Sequence, residues 1–139
     1  MAVTRYLLDT DICIYVARRK PLQVVERLAK LGPGEVAMSL VTYCELIYGC
    51  LKSREAAAAL AGIEKLRAII PVAPMDTEVA MCFGRIRAGL EAKGTPIGAY
   101  DLMIAAHAMS LGLILVTNNV REFSRVEGLR IENWAAGRA

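Results

Sequence analysis

A three-layer α/β fold is what this chain predicts, with helices covering both faces of a short, mostly parallel sheet of four or five strands. Three observations carry the prediction. Short apolar runs near residues 6–8, 35–38 and 113–116 alternate with longer segments whose apolar residues recur at helical spacing. The strand runs are apolar throughout rather than alternating, as parallel strands buried on both faces must be. No linker, repeat or low-complexity tract interrupts the 139 residues, so residues 1–139 are expected to form one domain.

The first element is a strand over residues 6–8, preceded by Val3. Asp9, Thr10 or Asp11 then caps a helix reaching about Arg19. A second helix follows Pro21 and ends near Gly32, and residues 35–38 read as the next strand. Ser39 opens a helix that passes through Glu45 to about Leu51. Residues 55–68 form an alanine-rich helix, and residues 69–73 a short strand. Asp76 caps a long helix closed by Gly94, with Val79, Phe83, Ile86 and Leu90 along one face. Gly98 precedes a helix through Asp101 to about Ser110. Residues 113–116 are a strand, and residues 129–132 are expected as an edge strand.

The hydrophobic fraction is 55%, high for so short a chain, which points to buried partner surface as well as core. Asp9, Glu45 and Asp101 interrupt the most apolar stretches, and none reaches the length of a membrane span. Asp9 and Asp11 stand where a secretion signal would be apolar, so a cytoplasmic location off the membrane is expected. Cys13, Cys44, Cys50 and Cys82 make no CxxC pair and read as buried free thiols. One histidine makes a zinc site improbable. The net charge of +3 permits a polyanionic partner without demanding one.

Chemistry is signalled by acids without partners. Residues 6–17 hold Asp9 and Asp11, residues 36–51 hold Glu45, and residues 94–120 hold Asp101, yet none of these windows contains a lysine or arginine. Glu45 shares the face of an almost wholly apolar helix with Val41 and Tyr48. A buried, ionised carboxylate costs several kcal/mol without compensation. If the acids meet, a divalent cation relieves both desolvation and mutual repulsion, and hard oxygen donors suit Mg²⁺, with Mn²⁺ able to substitute. Taken singly, each has a structural explanation: Asp9 as a helix cap, Asp101 at the positive end of its helix, Glu45 reaching solvent or a distant arginine such as Arg87.

The stretches LLDTDICIY, SLVTYCELIYG, GTPIGAYDLMIAAHA and LVTNNVREF resemble, in order and spacing, the PIN-domain nucleases. The similarity is closest to VapC-type toxins of type II toxin–antitoxin pairs, and among them to those that cut initiator transfer RNA. It implies a PIN-like three-layer fold and a Mg²⁺- or Mn²⁺-dependent endoribonuclease. The implied reaction leaves 5′-phosphate and 3′-hydroxyl ends and so inhibits translation. By position, the resemblance makes Asp9, Glu45 and Asp101 the metal ligands and puts the fourth catalytic position at Asn119, where many relatives carry aspartate. Thr10, Ser39 and Thr117 match polar positions that hydrogen-bond around the acids, and Asp11 is assigned a supporting role. His107 is expected in the core or behind the site.

Basic residues just outside the acidic windows are candidates to hold RNA phosphates: Arg18 and Arg19 with Lys20, Lys52 with Arg54, Arg85 with Arg87, and Arg121 with Arg125. The expected partners are a cognate VapB-type antitoxin, whose extended segment crosses the acidic groove, and a second copy in a homodimer. Two readings compete. A non-catalytic PIN-like module that binds RNA or antitoxin is kept open by Asn119. A haloacid-dehalogenase-type phosphotransferase fits Asp9-Thr10-Asp11, but the LVTNN stretch lacks the acidic pair that chemistry needs after the last core strand.

Overall fold

The computed structural model describes residues 3–136. The elements run β1 (Tyr6–Leu8), α1 (Thr10–Arg18), α2 (Leu22–Ala29), β2 (Val36–Met38), α3 (Leu40–Lys52), α4 (Ala56–Ile69), α5 (Glu78–Ala92), α6 (Ala99–Leu111), β3 (Ile114–Val116), α7 (Val120–Phe123) and β4 (Ile131–Glu132). The four strands lie in the order β2-β1-β3-β4, and every pairing is parallel. Leu8 is opposite both Met38 and Val116, so three strands end at one level.

Strand side chains alternate between two cores. Leu7, Ala37 and Leu115 face a cluster with Val79, Ile86 and Leu90 of α5 and Leu102 and Ala105 of α6. Tyr6, Leu8, Val36, Met38 and Val116 face the other way, against Ile12 and Cys13 of α1, Val24 of α2, Leu66 of α4 and Trp134. Both strand faces are dry, which is why the runs read as continuously apolar; each buried Leu or Val contributes roughly 1.5–3 kcal/mol. Helix α3 borders both clusters, with Val41 against the first and Leu46 in the second. The three layers expected from the sequence are therefore present.

Three expectations change. Residues 69–73 are not a strand: Ile69 ends α4, and only an isolated parallel bridge, Met38 to Val72, extends the sheet. Pro71 sits in that segment and has no N–H for a ladder; its carbonyl accepts from Met38 N at 2.8 Å instead. The last strand shrinks to Ile131–Glu132. Cys44 is exposed, while Cys13 and Cys50 are buried. Among the described residues no helix is long and apolar enough to cross a membrane.

Candidate active site

Asp9, Ser39 and Thr117 directly follow Leu8, Met38 and Val116, so the parallel register brings three polar side chains to one carboxyl edge of the sheet. Sites in open α/β sheets form at that edge. Asp9 stays extended (φ −66°, ψ 164°) and caps α1, its N–H donating to Val116 O at 2.8 Å. Its Oδ1 accepts from Thr10 N at 2.8 Å and its Oδ2 from Thr117 Oγ1 at 2.7 Å. Only 5% of Asp9 is exposed. Burial, followed by the charge of Asp11, pushes its pKa up to about 6 despite the bonds from Thr117 and Thr10.

Glu45 comes from the second turn of α3. Its Oε1 accepts from Thr10 Oγ1 at 2.8 Å, and that hydroxyl also lies 3.2 Å from the buried Thr42 Oγ1. Thr10 thus links the first turn of α1 to the acid on α3. Asp101 sits in the first turn of α6, half-buried. Its pKa is raised to about 7, first by burial and then by a hydrogen bond to Glu122, which requires Asp101 to hold the proton. Glu122 is shifted the other way, down, because Gly98 N donates to its Oε1 at 2.8 Å and Asn119 Nδ2 to its Oε2 at 2.8 Å. Gly98 borders both acids: a Cβ there would stand 3.8 Å from Glu122 Oε1 and 3.9 Å from Asp101 Oδ2. The charges of Asp9 and Glu45 also raise Asp101, so the acids sense one another across a shared space.

Glu122 was invisible in the sequence. It lies three residues beyond Asn119 on the four-residue helix α7, too short for any periodic signal. Asn119 differs from its expected role, because it turns its amide nitrogen, not its carbonyl oxygen, toward Glu122 and, at 3.5 Å, toward Asp101. Ser39 differs too: it touches no acid, caps α3 by accepting from Val41 N at 3.1 Å, and meets His107 Nδ1 at 2.8 Å. Thr117 and Thr10 bond to acids as expected. Asp11 braces the loop after β3, its Oδ2 accepting from Asn118 N at 3.0 Å.

The tight three-acid cage expected for a metal is not present among the described residues, where no three acid, imidazole or thiol side chains are gathered closely enough to hold an ion. Asp9 is turned to Thr117, Glu45 to Thr10, and Asp101 to Asn119 and Glu122. The chemistry of the set nevertheless fits a hard divalent cation. Every donor is oxygen, and none of the described ion pairs includes Asp9, Asp11, Glu45, Asp101 or Glu122. Asp9, Asp11 and Asp101, desolvated and raised in pKa with no cation paired to them, are what an incoming Mg²⁺ would discharge.

The candidate RNA contacts divide. Arg18 and Arg19 line a groove of about 630 Å³ between α1, α3 and α4, which also includes Thr10, Glu45 and Lys65. Arg87 is paired with Glu91 at 3.4 Å on α5, and Arg121 is exposed beside Glu122.

A family model for the PIN domain matches residues 6–129. The chain is 45% identical over 130 residues to the tRNA(fMet)-specific endonuclease VapC of Salmonella typhimurium, spanning 94% of this chain and 98% of that protein. It is 48% identical over 131 residues, with the same spans, to a protein of the same description from Shigella flexneri. Among solved structures, DNA-bound VapBC from Salmonella typhimurium matches with a TM-score of 0.88 at 45% identity, covering 94% of this chain and 98% of that one. VapBC-1 from nontypeable Haemophilus influenzae matches with a TM-score of 0.88 at 35% identity, covering 97% and 100%.

Proposed function

Because this chain belongs to the PIN-domain family, in its VapC branch, we propose that it is the endoribonuclease toxin of a toxin–antitoxin pair and hydrolyses initiator transfer RNA with a divalent cation. The observation that carries this reading is that Asp9, Glu45 and Asp101 come from three separate segments, that the charges of Asp9 and Glu45 both act on Asp101, and that none of the described ion pairs includes any of them. Asp9, Glu45 and Asp101, with Glu122 beside Asp101, are the residues that would hold Mg²⁺ or Mn²⁺. A bound cation supplies Lewis acidity at the phosphate and lowers the pKa of water.

The chain's own groups prepare that chemistry. Thr117 and the α1 amide of Thr10 hold both oxygens of Asp9 in place, and the Thr10 hydroxyl holds Glu45. Asn119 donates to Asp101 and Glu122, which fixes their orientation and releases no charge of its own. A proton held on Asp101 would have to leave before its carboxylate could hold a cation, so cleavage should rise with pH and level off at or below about 7. Products with 5′-phosphate and 3′-hydroxyl ends follow if water attacks the phosphorus and the 3′ oxygen leaves. A 2′-hydroxyl attack commonly uses an acid–base pair, and the only histidine in the chain, His107, is buried at Ser39 and Pro74.

The reading includes two protein partners. A VapB-type antitoxin would lay an extended segment along the groove from Arg18 to Glu45 and set a basic side chain against the acids. A second copy would cover exposed apolar residues of α3 and α6, among them Tyr48, Leu51 and Tyr100. Total RNA incubated with wild type and Asp101→Asn under Mn²⁺, followed by end mapping, tests the activity. Wild type should give one dominant transfer-RNA cut with the stated ends, and Asp101→Asn none. Cutting that persists in excess chelator, or leaves a 2′,3′-cyclic phosphate, would defeat the mechanism. Asn119 in place of an acid favours one second reading, a non-catalytic module, which predicts antitoxin binding with no cut by either protein.

A further inference from the structure

His107 lies on α6 and is fully buried, hydrogen-bonded to none of the acids discussed above, although the charge of Asp76 reaches it. Its Nε2 stands 3.0 Å from Pro74 O, and its Nδ1 2.8 Å from Ser39 Oγ. A carbonyl oxygen can only accept, so Nε2 carries the proton. In the neutral ring Nδ1 is then an acceptor, and the Ser39 hydroxyl must donate to it. The lone pairs of Ser39 Oγ are thereby left for Val41 N, 3.1 Å away at the first turn of α3. Every proton in the relay Val41 N–H, Ser39 O–H, His107 Nε2–H, Pro74 O has one direction. Among the described residues no buried side-chain polar atom lacks a partner, so the relay has no slack.

We infer that His107, as the Nε2–H tautomer, is a positioning residue that locks the start of α3 to the middle of α6 and so sets the separation of Glu45 from Asp101. Glu45 stands six residues after Ser39 on α3, and Asp101 six residues before His107 on α6. The same relay ties in Pro74, in the segment between the Met38–Val72 bridge and α5. Burial holds the imidazole pKa below its usual range, in keeping with a ring that stays neutral. The inference rests on the metal-dependent reading only for its consequence, not for the relay itself.

Two measurements test it. The chain has one histidine, so ¹⁵N spectra of the intact protein contain a single imidazole. We expect a proton on Nε2 and a bare Nδ1, with Ser39→Ala moving the Nδ1 signal and leaving the proton on Nε2. A proton on Nδ1, or an unmoved Nδ1 signal, overturns the relay. Mn²⁺ affinity, read by the paramagnetic resonance of the free ion, tests the positioning. His107→Asn keeps an acceptor near the place of Nδ1, whereas His107→Gln keeps only a donor near the place of Nε2. Partners that orient metal-holding side chains are commonly worth 10-fold or more, so His107→Gln should bind Mn²⁺ about tenfold more weakly, and His107→Asn within about threefold of wild type. Equal losses in both variants would reduce His107 to packing, and no loss in either would remove it from the site. If a variant does not fold, the spectra of wild type and Ser39→Ala still decide the relay. Wild type that fails to bind Mn²⁺ or cut RNA instead sinks the nuclease proposal and leaves the tautomer result standing.

Discussion

At the scale of single residues, the site is a problem in proton accounting. Asp9 and Asp101 have folded-state pKa values of about 6 and about 7, raised chiefly by burial, well above the ordinary aspartate range. A carboxyl whose folded pKa is raised binds a proton that the unfolded chain has released, so it stabilises the fold fully below about pH 4 and loses that contribution as pH rises through its folded value. His107, lowered by burial, pulls the opposite way, since the unfolded chain takes up its proton first. The readable quantity is therefore the difference between wild type and Asp101→Asn. In chelator, wild type should lose melting temperature relative to Asp101→Asn between about pH 4 and pH 7. Added Mg²⁺ should reverse that loss at the alkaline end, where the acids are ionised. A melting difference that stays constant across this range would mean Asp101 holds no shifted proton. The acids themselves were legible because Asp9, Glu45 and Asp101 stand in apolar segments with no local cation. Glu122 was not, because its neighbours Arg121 and Arg125 make it read as an ordinary surface acid; only Gly98, brought in from 24 residues away, reveals it.

At the scale of elements, caps were legible and their exceptions were not. Helices α1 and α6 end in the same way. Lys20 N donates to Tyr15 O at 3.1 Å and Arg19 N to Val16 O at 3.1 Å, just as Leu113 N donates to Ala108 O and Gly112 N to Met109 O. Each closure needs one residue in the left-handed region. At α6 this is Gly112 (φ 66°), the residue type a reader of sequence looks for; at α1 it is Arg19 (φ 58°). An L side chain there is strained, which glycine relieves less its own entropic cost. Arg19→Gly should therefore stabilise the fold by about 0.5–1 kcal/mol, read by chemical denaturation. A destabilised variant would show that the Arg19 side chain makes contacts that outweigh its backbone strain. The segment 69–73 failed for a related reason: its apolar residues imitate a strand, but Pro71 and the continuation of α4 through Ile69 leave room for a single bridge. Strand polarity, by contrast, needed only the alternation of strands and helices, and it alone delivers Asp9, Ser39 and Thr117 to one edge.

At the scale of the whole molecule, the groove beside α1 separates two sets of arginines that net charge cannot distinguish. Arg18 and Arg19 end α1, whose first turn begins at Asp9, and they line the groove that also includes Thr10 and Glu45. Arg5 and Arg130 precede β1 and β4, at the amino edge of the sheet; Arg5 is paired to Glu35 at 3.1 Å, and Arg130 donates to Gly112 O at 2.8 Å. Reversing either pair to glutamate lowers the net charge equally. If RNA were held by the overall positive charge, both reversals would weaken it alike. If it is held along the groove, only Arg18→Glu with Arg19→Glu should release phosphate contacts. Each lost contact removes roughly 0.7 from the slope of log affinity against log salt on single-stranded RNA, so this double variant should flatten the slope by about 1.4. The Arg5→Glu, Arg130→Glu protein should keep the wild-type slope and lose affinity only by the long-range field, an effect that fades above about 0.15 M salt, where the Debye length falls to roughly 8 Å. Filter binding of a transfer RNA from 50 to 300 mM salt, in chelator so that nothing is cut, reads both slopes. Equal slopes in the two double variants would move the RNA path off this groove.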